Sequence, residues 1–197
     1  MSQPTLADTQ VMKSKNTVFD STHSQRVPCE CCGNTQFRPI LCREDDSLVV
    51  RCEHCQLEFV NPLPDPSAMQ KLYLSEMVSD DPNQGYFSQY IFERQKREKS
   101  FSKLYHTRLR LIEANKPGKG NLLDLGCGAG FFIKCALDRG WNGHGLEMLP
   151  EYVQYAQESL GLHQVQQGSL DDSLPFPPEP FDVVTMWDLI EHLRHPL

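Results

Sequence analysis

Between Leu122 and Gly130 the chain reads LLDLGCGAG, an apolar run that ends in Gly126, Gly128 and Gly130. Glycines let a backbone turn sharply and let a ligand come close, and a helix start just beyond offers amide donors to polar groups. The spacing is G-x-G-x-G, not the G-x-G-x-x-G of dinucleotide sites, and Asp124 stands two residues before the first glycine. A carboxylate there repels phosphate but can organise a loop around an ammonium group. Glu147, 17 residues beyond Gly130, ends the next expected strand, where a carboxylate can accept both hydroxyl protons of a ribose. Together these suit adenosine carrying a zwitterionic amino-acid tail, which describes S-adenosylmethionine. The competing reading is a Rossmann-like domain that binds a nicotinamide or nothing.

A second set of residues points to metal. Cys29-x-x-Cys32 and Cys52-x-x-Cys55 are separated by 19 residues, close to the spacing of a four-cysteine zinc site. The segments between them can form a hairpin that brings the two pairs together. Four protein ligands leave no open position, so the zinc is expected to be structural. Cys31 and His54 are spare ligands, and a redox disulfide pair is the alternative chemistry. Cys42, Cys127 and Cys135 read as small apolar fillers.

The third candidate is WDLIEHLRHP, directly after the apolar run FDVVTM. On one helical turn Asp188 could share a face with Glu191 or His192. The acids could simply favour a helix start, or His192 or His195 could serve as a general base.

The rest of the chain must position these groups. Its 197 residues allow one ordinary domain and a small one. A net charge of −7 argues against a broad nucleic-acid surface, so nucleic acid is not an expected partner. No run has the apolar length of a membrane span and no secretory signal is evident, which reads as a cytoplasmic protein. In that reducing compartment clustered cysteines bind metal more often than they pair.

Residues 1–27 read as a disordered tail, 28–60 as a zinc-ribbon module and 61–87 as a connector with a short helix near Met69–Leu74. Residues 88–197 read as the cofactor-binding domain. It opens with a helix over about 88–114 whose apolar stripe is Phe101, Leu104, Tyr105 and Ile112. Its basic face, including Arg94 and Arg108, reads as solvated. Strands are then expected at 121–125, 141–147, 164–167 and 181–186, the last buried on both faces. Helices follow at 130–138 and from Pro150. Repeated βαβ units imply an α/β fold with a parallel sheet and helices on both sides.

The combination LLDLGCGAGFF, GLEM and FDVVTMWDLIEH resembles the class I S-adenosylmethionine-dependent methyltransferases that act on small molecules. The resemblance implies that Asp124, Gly126, Gly128 and Gly130 form the cofactor loop and that Glu147 binds the ribose. Met148 would flank the adenine, with Ser169 and Leu170 at the adenine amino group, where Ser169 replaces the family's common acid. It implies O- or C-methylation of a small-molecule acceptor. Zinc ribbons also precede the methyltransferase domain in deoxysugar C-methyltransferases. Asp188-x-x-Glu191-His192 resembles the Glu-x-x-Glu-His divalent-metal motif of some quinone-precursor O-methyltransferases, which adds a metal-assisted reading there. Four strands are expected here, fewer than in the family's sheet. That suggests a fragment, nearly inactive alone, whose missing strands another chain could supply. The rival function is a non-catalytic zinc-ribbon module with a vestigial cofactor fold, contacting protein or RNA.

Overall fold

A computed structural model describes residues 24–43, 47–65, 86–170, 174–176 and 180–193. These fall into two compact units, one within residues 1–76 and the other within 77–193.

The first unit carries five short strands: β1 (Ser24–Gln25), β2 (Phe37–Cys42), β3 (Leu48–Cys52), β4 (Glu58–Val60) and β5 (Leu63–Pro64). β2, β3 and β4 form an antiparallel sheet in sequence order. In β3 the buried Val50 and Cys52 alternate with Arg51, the period of a strand with one covered face. β1 pairs with β5, in a region the sequence suggested was tail. What holds it is Asn61, a buried amide whose Oδ1 accepts from the Val27 N–H while its Nδ2 donates to the Val27 carbonyl. The short helix expected near Met69–Leu74 lies outside the described residues.

The second unit opens with α1 (Tyr86–Lys96) and α2 (Glu98–Asn115), two helices broken at Arg97 where one was expected. There follow β6 (Asn121–Leu125), α3 (Phe131–Asp138), β7 (Asn142–Glu147), α4 (Pro150–Gln154), β8 (Val165–Gln167) and β9 (Val183–Met186). α4 begins with a proline and widens into a π turn over Tyr155–Ser159. The sheet order is β8-β7-β6-β9, with every neighbouring pair parallel. This is the α/β arrangement anticipated from the repeated βαβ pattern.

Alternation along β6 divides the core. Leu122 faces a cluster with Tyr105 and Leu109 of α2, Phe132 and Ile133 of α3, Val153 of α4 and Val165. Leu123 and Leu125 face Leu146, Leu170, Phe176, Phe181 and Leu189 on the other side. Among the described residues the helices therefore cover one face and loop segments the other, not helices on both. β9 also differs from expectation: Thr185 is buried, but Val184 and Met186 are exposed. On α2 the stripe is Phe101, Tyr105, Leu109 and Ile112, and Leu104 turns outward.

Candidate functional site

β6 delivers the glycine loop at the carboxyl end of the sheet, beside the point where the strand order reverses between β6 and β9. Open α/β sheets bind ligands in that crevice. Gly126, Gly128 and Gly130 take φ values of 68°, 55° and 79°, a left-handed backbone that disfavours any other residue. Space is tight as well: a Cβ on Gly128 would lie 2.7 Å from the Tyr90 hydroxyl, and one on Gly126 3.0 Å from Leu189.

Two buried carboxylates flank the loop. Asp124 is 3% exposed, and the Thr185 hydroxyl donates to its Oδ1 at 2.6 Å. Burial pushes the Asp124 carboxyl up to about 7, against the lowering pull of Thr185 and of the Arg108 charge. Glu147 accepts the Gly128 N–H on Oε2 at 2.8 Å and the Met148 and Leu149 N–H groups on Oε1 at 2.8 and 3.0 Å. Burial raises its affinity for a proton, and those three amide donors oppose the shift. With two donors on Oε1, the carboxylate has one well-placed acceptor position left, on Oε2. The sequence had suggested that it takes two hydroxyl protons.

The adenine-side candidates lie at the ends of β7 and β8. Gln167 Nε2 donates to the Met148 carbonyl at 3.3 Å, and Met148 itself is partly exposed. Ser169 is half-buried, while Leu170 packs against Leu123, Leu125 and Leu146.

α1 adds a group that sequence reasoning missed. Phe87 and Tyr90 meet Tyr152 at ring separations of 5.0 Å each, and Tyr90 reaches Phe131, the first residue after the glycine loop. The Arg94 guanidinium lies 3.2 Å from the Tyr90 ring centroid and 4.8 Å from that of Phe101. Arg94 is thus not part of a solvated face, and neither is Arg108, which stacks on Trp187 at 4.2 Å. The i,i+4 spacing of Tyr90 and Arg94 was the available signal, hidden among seven basic residues of the same segment.

The acidic stretch is not one helical turn. Asp188 adopts φ 56° and binds Arg108 at 3.3 Å, while Glu191 and exposed His192 lie on a 3-10 turn, Ile190–His192. Among the described residues, the cysteine quartet is the one group of His, Cys, Asp or Glu close enough to share an ion. The metal-assisted reading of Asp188, Glu191 and His192 therefore finds no support, and His195 lies outside the described residues.

The quartet itself comes together. The sulfurs of Cys29, Cys32, Cys52 and Cys55 all lie within 4.8 Å of one another, with Cys29–Cys55 and Cys32–Cys52 at 3.5 Å. Tetrahedral zinc thiolates at ~2.3 Å bond length place sulfurs about 3.8 Å apart, so the set fits zinc. Each knuckle closes on a left-handed residue, Gly33 at φ 71° and Gln56 at φ 67°. Crowding also separates the thiols. Burial opposes charge on Cys52, yet the Cys55 and His54 amides and the Asn34 side chain bring it down to about 6. Cys55, despite the favourable Leu57 amide, is driven up to about 12 by burial and the other sulfurs. Four thiolates cannot be charged together without a cation among them.

Comparison with known proteins decides the family. The family described as "Methyltransferase domain" matches residues 93–197. The chain belongs to this methyltransferase family. A ubiquinone biosynthesis O-methyltransferase from Xylella fastidiosa (strain 9a5c) is 27% identical over 108 residues, 50% of this chain and 42% of that protein. The one from Pseudomonas syringae pv. tomato is 34% identical over 91 residues, 42% of this chain and 37% of that one. The methyltransferase chain thus spans about two fifths of the length of these curated relatives. A solved amino pentose methyltransferase from Micromonospora echinaspora is 26% identical with a TM-score of 0.43, over 52% of this chain and 42% of that one. No helix among the described residues of this methyltransferase is long and apolar enough to cross a membrane.

Proposed function

We propose that this methyltransferase chain binds S-adenosylmethionine at Asp124, Gly126, Gly128, Gly130 and Glu147 and serves methyl transfer to a small-molecule acceptor. The observation that carries the reading is the bond from Gly128 N–H to Glu147 Oε2, which fixes the glycine loop against the ribose-reading acid. The residues fit the cofactor. Asp124 is a buried acid beside a loop without side chains, suited to an ammonium, and Glu147 keeps an acceptor position for a ribose hydroxyl. When bound, S-adenosylmethionine supplies a methyl group on an already activated sulfonium. What remains for the protein is to orient the acceptor, exclude water and remove a proton.

The curated relatives are O-methyltransferases, which favours a hydroxyl acceptor over a carbon acid. A hydroxyl must lose its proton as the methyl arrives, and exposed His192, just past β9, is our candidate base. Trp187, the residue directly after β9, is our candidate wall for the acceptor. The four-cysteine module holds one structural zinc in this reading and takes no part in the chemistry.

Purified protein examined by native mass spectrometry tests the proposal directly. Retention of S-adenosylmethionine or S-adenosylhomocysteine supports it. Preference for a nicotinamide dinucleotide would overturn it.

A further inference from the structure

Two sulfur contacts of the cysteine quartet run from one knuckle to the other. Cys29 Sγ lies 3.5 Å from Cys55 Sγ, and Cys32 Sγ lies 3.5 Å from Cys52 Sγ. The pairs are nested, 26 and 20 residues apart in sequence, in keeping with the antiparallel pairing of β2 and β3 between them. Two further bonds hold the knuckles in this register. The Gln36 carbonyl accepts the Glu53 N–H at 3.1 Å, and the Asn34 amide donates to Cys52 Sγ at 3.5 Å. A disulfide needs its sulfurs at about 2.05 Å, so each pair must close by roughly 1.5 Å.

Exposure divides both pairs in the same way. Cys29 and Cys52 are 1% and 0% exposed, whereas Cys32 and Cys55 are half-buried. Each pair therefore has an outer sulfur that solvent reaches and an inner one that it does not. An oxidant arriving from solvent meets the outer sulfur, and the inner one stands ready to displace the oxygen left there. Metal binding and redox pairing, alternatives at the level of spacing, become two states of one site.

We propose that the quartet is an oxidation site, at which a peroxide joins Cys29 to Cys55 and Cys32 to Cys52 with loss of the metal. The proposal rests on zinc as the resident ion, as argued above. In each pair the outer thiolate attacks one peroxide oxygen; the O–O bond breaks, hydroxide leaves and a sulfenic acid remains on the sulfur. The inner thiolate then attacks that sulfur; the S–S bond forms and a second hydroxide leaves. Each pair gives up two electrons, and the peroxide takes them. Two peroxides thus yield two disulfides and four hydroxides, and no thiolate of the quartet is left to hold a cation. A dithiol restores the thiols by exchange.

The test treats the full chain, purified with its metal, with hydrogen peroxide while a chromogenic chelator reads free zinc. Remaining thiols are then alkylated, and a protease that cuts after glutamate maps the disulfides. Cleavage at Glu30 and Glu53 separates Cys29 from Cys32 and Cys52 from Cys55, so every connectivity of the quartet is distinguishable. Close to one zinc per chain should be lost for about two peroxides consumed, with both crosswise disulfides formed. Dithiothreitol and zinc should return both readouts to their starting values. Cys31→Ser and Cys42→Ser, which remove exposed thiols outside the quartet, should leave the release and the connectivity unchanged. Disulfides within the knuckles, Cys29–Cys32 and Cys52–Cys55, would overturn the proposal, as would the pairs Cys29–Cys52 and Cys32–Cys55. So would zinc retained while Cys31 or Cys42 is oxidised. If the purified protein holds no zinc, the zinc reading falls by itself. Crosswise disulfides in that protein would still uphold the pairing, and any other set would overturn it.

Discussion

Thr185 Oγ1 lies 2.6 Å from Asp124 Oδ1, a hydroxyl on β9 donating to a carboxyl on β6 across the point where the sheet reverses its strand order. Burial holds that carboxyl at about 7 instead of the ordinary 3.8. The sign follows from linkage. The folded state keeps the proton more tightly than the unfolded one, so this contribution favours folding at low pH and is lost as pH rises from about 3.8 to about 7.

A ligand ammonium beside Asp124 reverses that balance, because it stabilises the ionised acid. Affinity for S-adenosylhomocysteine should therefore rise with pH up to about 7 and then level off. Calorimetry in buffers of different ionisation enthalpy should detect proton release below that point. Asp124→Asn should bind more weakly and show neither the slope nor the release. A wild type with flat affinity between mild acid and neutrality would remove Asp124 from the ammonium role.

Gly128→Ala meets two obstacles, a left-handed φ of 55° and the Tyr90 hydroxyl 2.7 Å from the new methyl. Urea unfolding should show a loss of about 1–3 kcal/mol. Adding Tyr90→Phe, which removes the nearest atom, should recover part of the loss but not the backbone share. Strict additivity of the two changes would mean that α1 does not press on the loop.

Glu113 accepts from Arg139 Nε at 2.9 Å and from Trp141 Nε1 at 3.3 Å, and also pairs with Lys119. The Arg139 hydrogen bond, ahead of Lys119 and Trp141 and against a desolvation cost, holds its carboxyl at about 2. A depressed acid contributes stability above its unfolded value and loses it as pH falls toward the folded one, here from about 4.5 to about 2. Glu113→Gln should cost about 1 kcal/mol near neutrality, since solvent screens the cluster. That deficit should vanish in acid. A deficit independent of pH would mean that packing, not charge, is what the substitution removes.

Local pattern carried much of this in the sequence, and distance hid the rest. An apolar run closed by glycine marked β6, because a central parallel strand has no polar face to blur it, and β7 followed from its place between two helical segments. Two Cys-x-x-Cys pairs marked the quartet, since few other arrangements need that spacing. The Thr185–Asp124 bond joins residues 61 positions apart, and nothing local announces it. Arg94 and Arg108 share a segment with exposed basic residues, so charge alone could not tell a packed guanidinium from a solvated one. Asp188 misled for a different reason. Helical spacing assumed a right-handed backbone, and the residue adopts a left-handed one while bound to Arg108.

Protein prepared without chelator should contain close to one zinc per chain, and Cys52→Ser should lower that sharply. Stripping the metal should expose the β2–β4 sheet to proteolysis, because four crowded thiols lack another way to relieve their charge. Elemental analysis with limited proteolysis checks both. A metal-free module that resists protease would contradict the zinc reading.

The central claim is that Glu147 and the glycine loop it anchors hold the adenosine of S-adenosylmethionine. Titration of S-adenosylhomocysteine into wild type and Glu147→Gln tests this most directly, with thermal unfolding as the check that both are folded. The account predicts a single site in the wild type, weakened in the variant by about 1–3 kcal/mol, roughly fivefold to 150-fold. Equal affinities in two folded proteins, or no binding by the wild type, would contradict it.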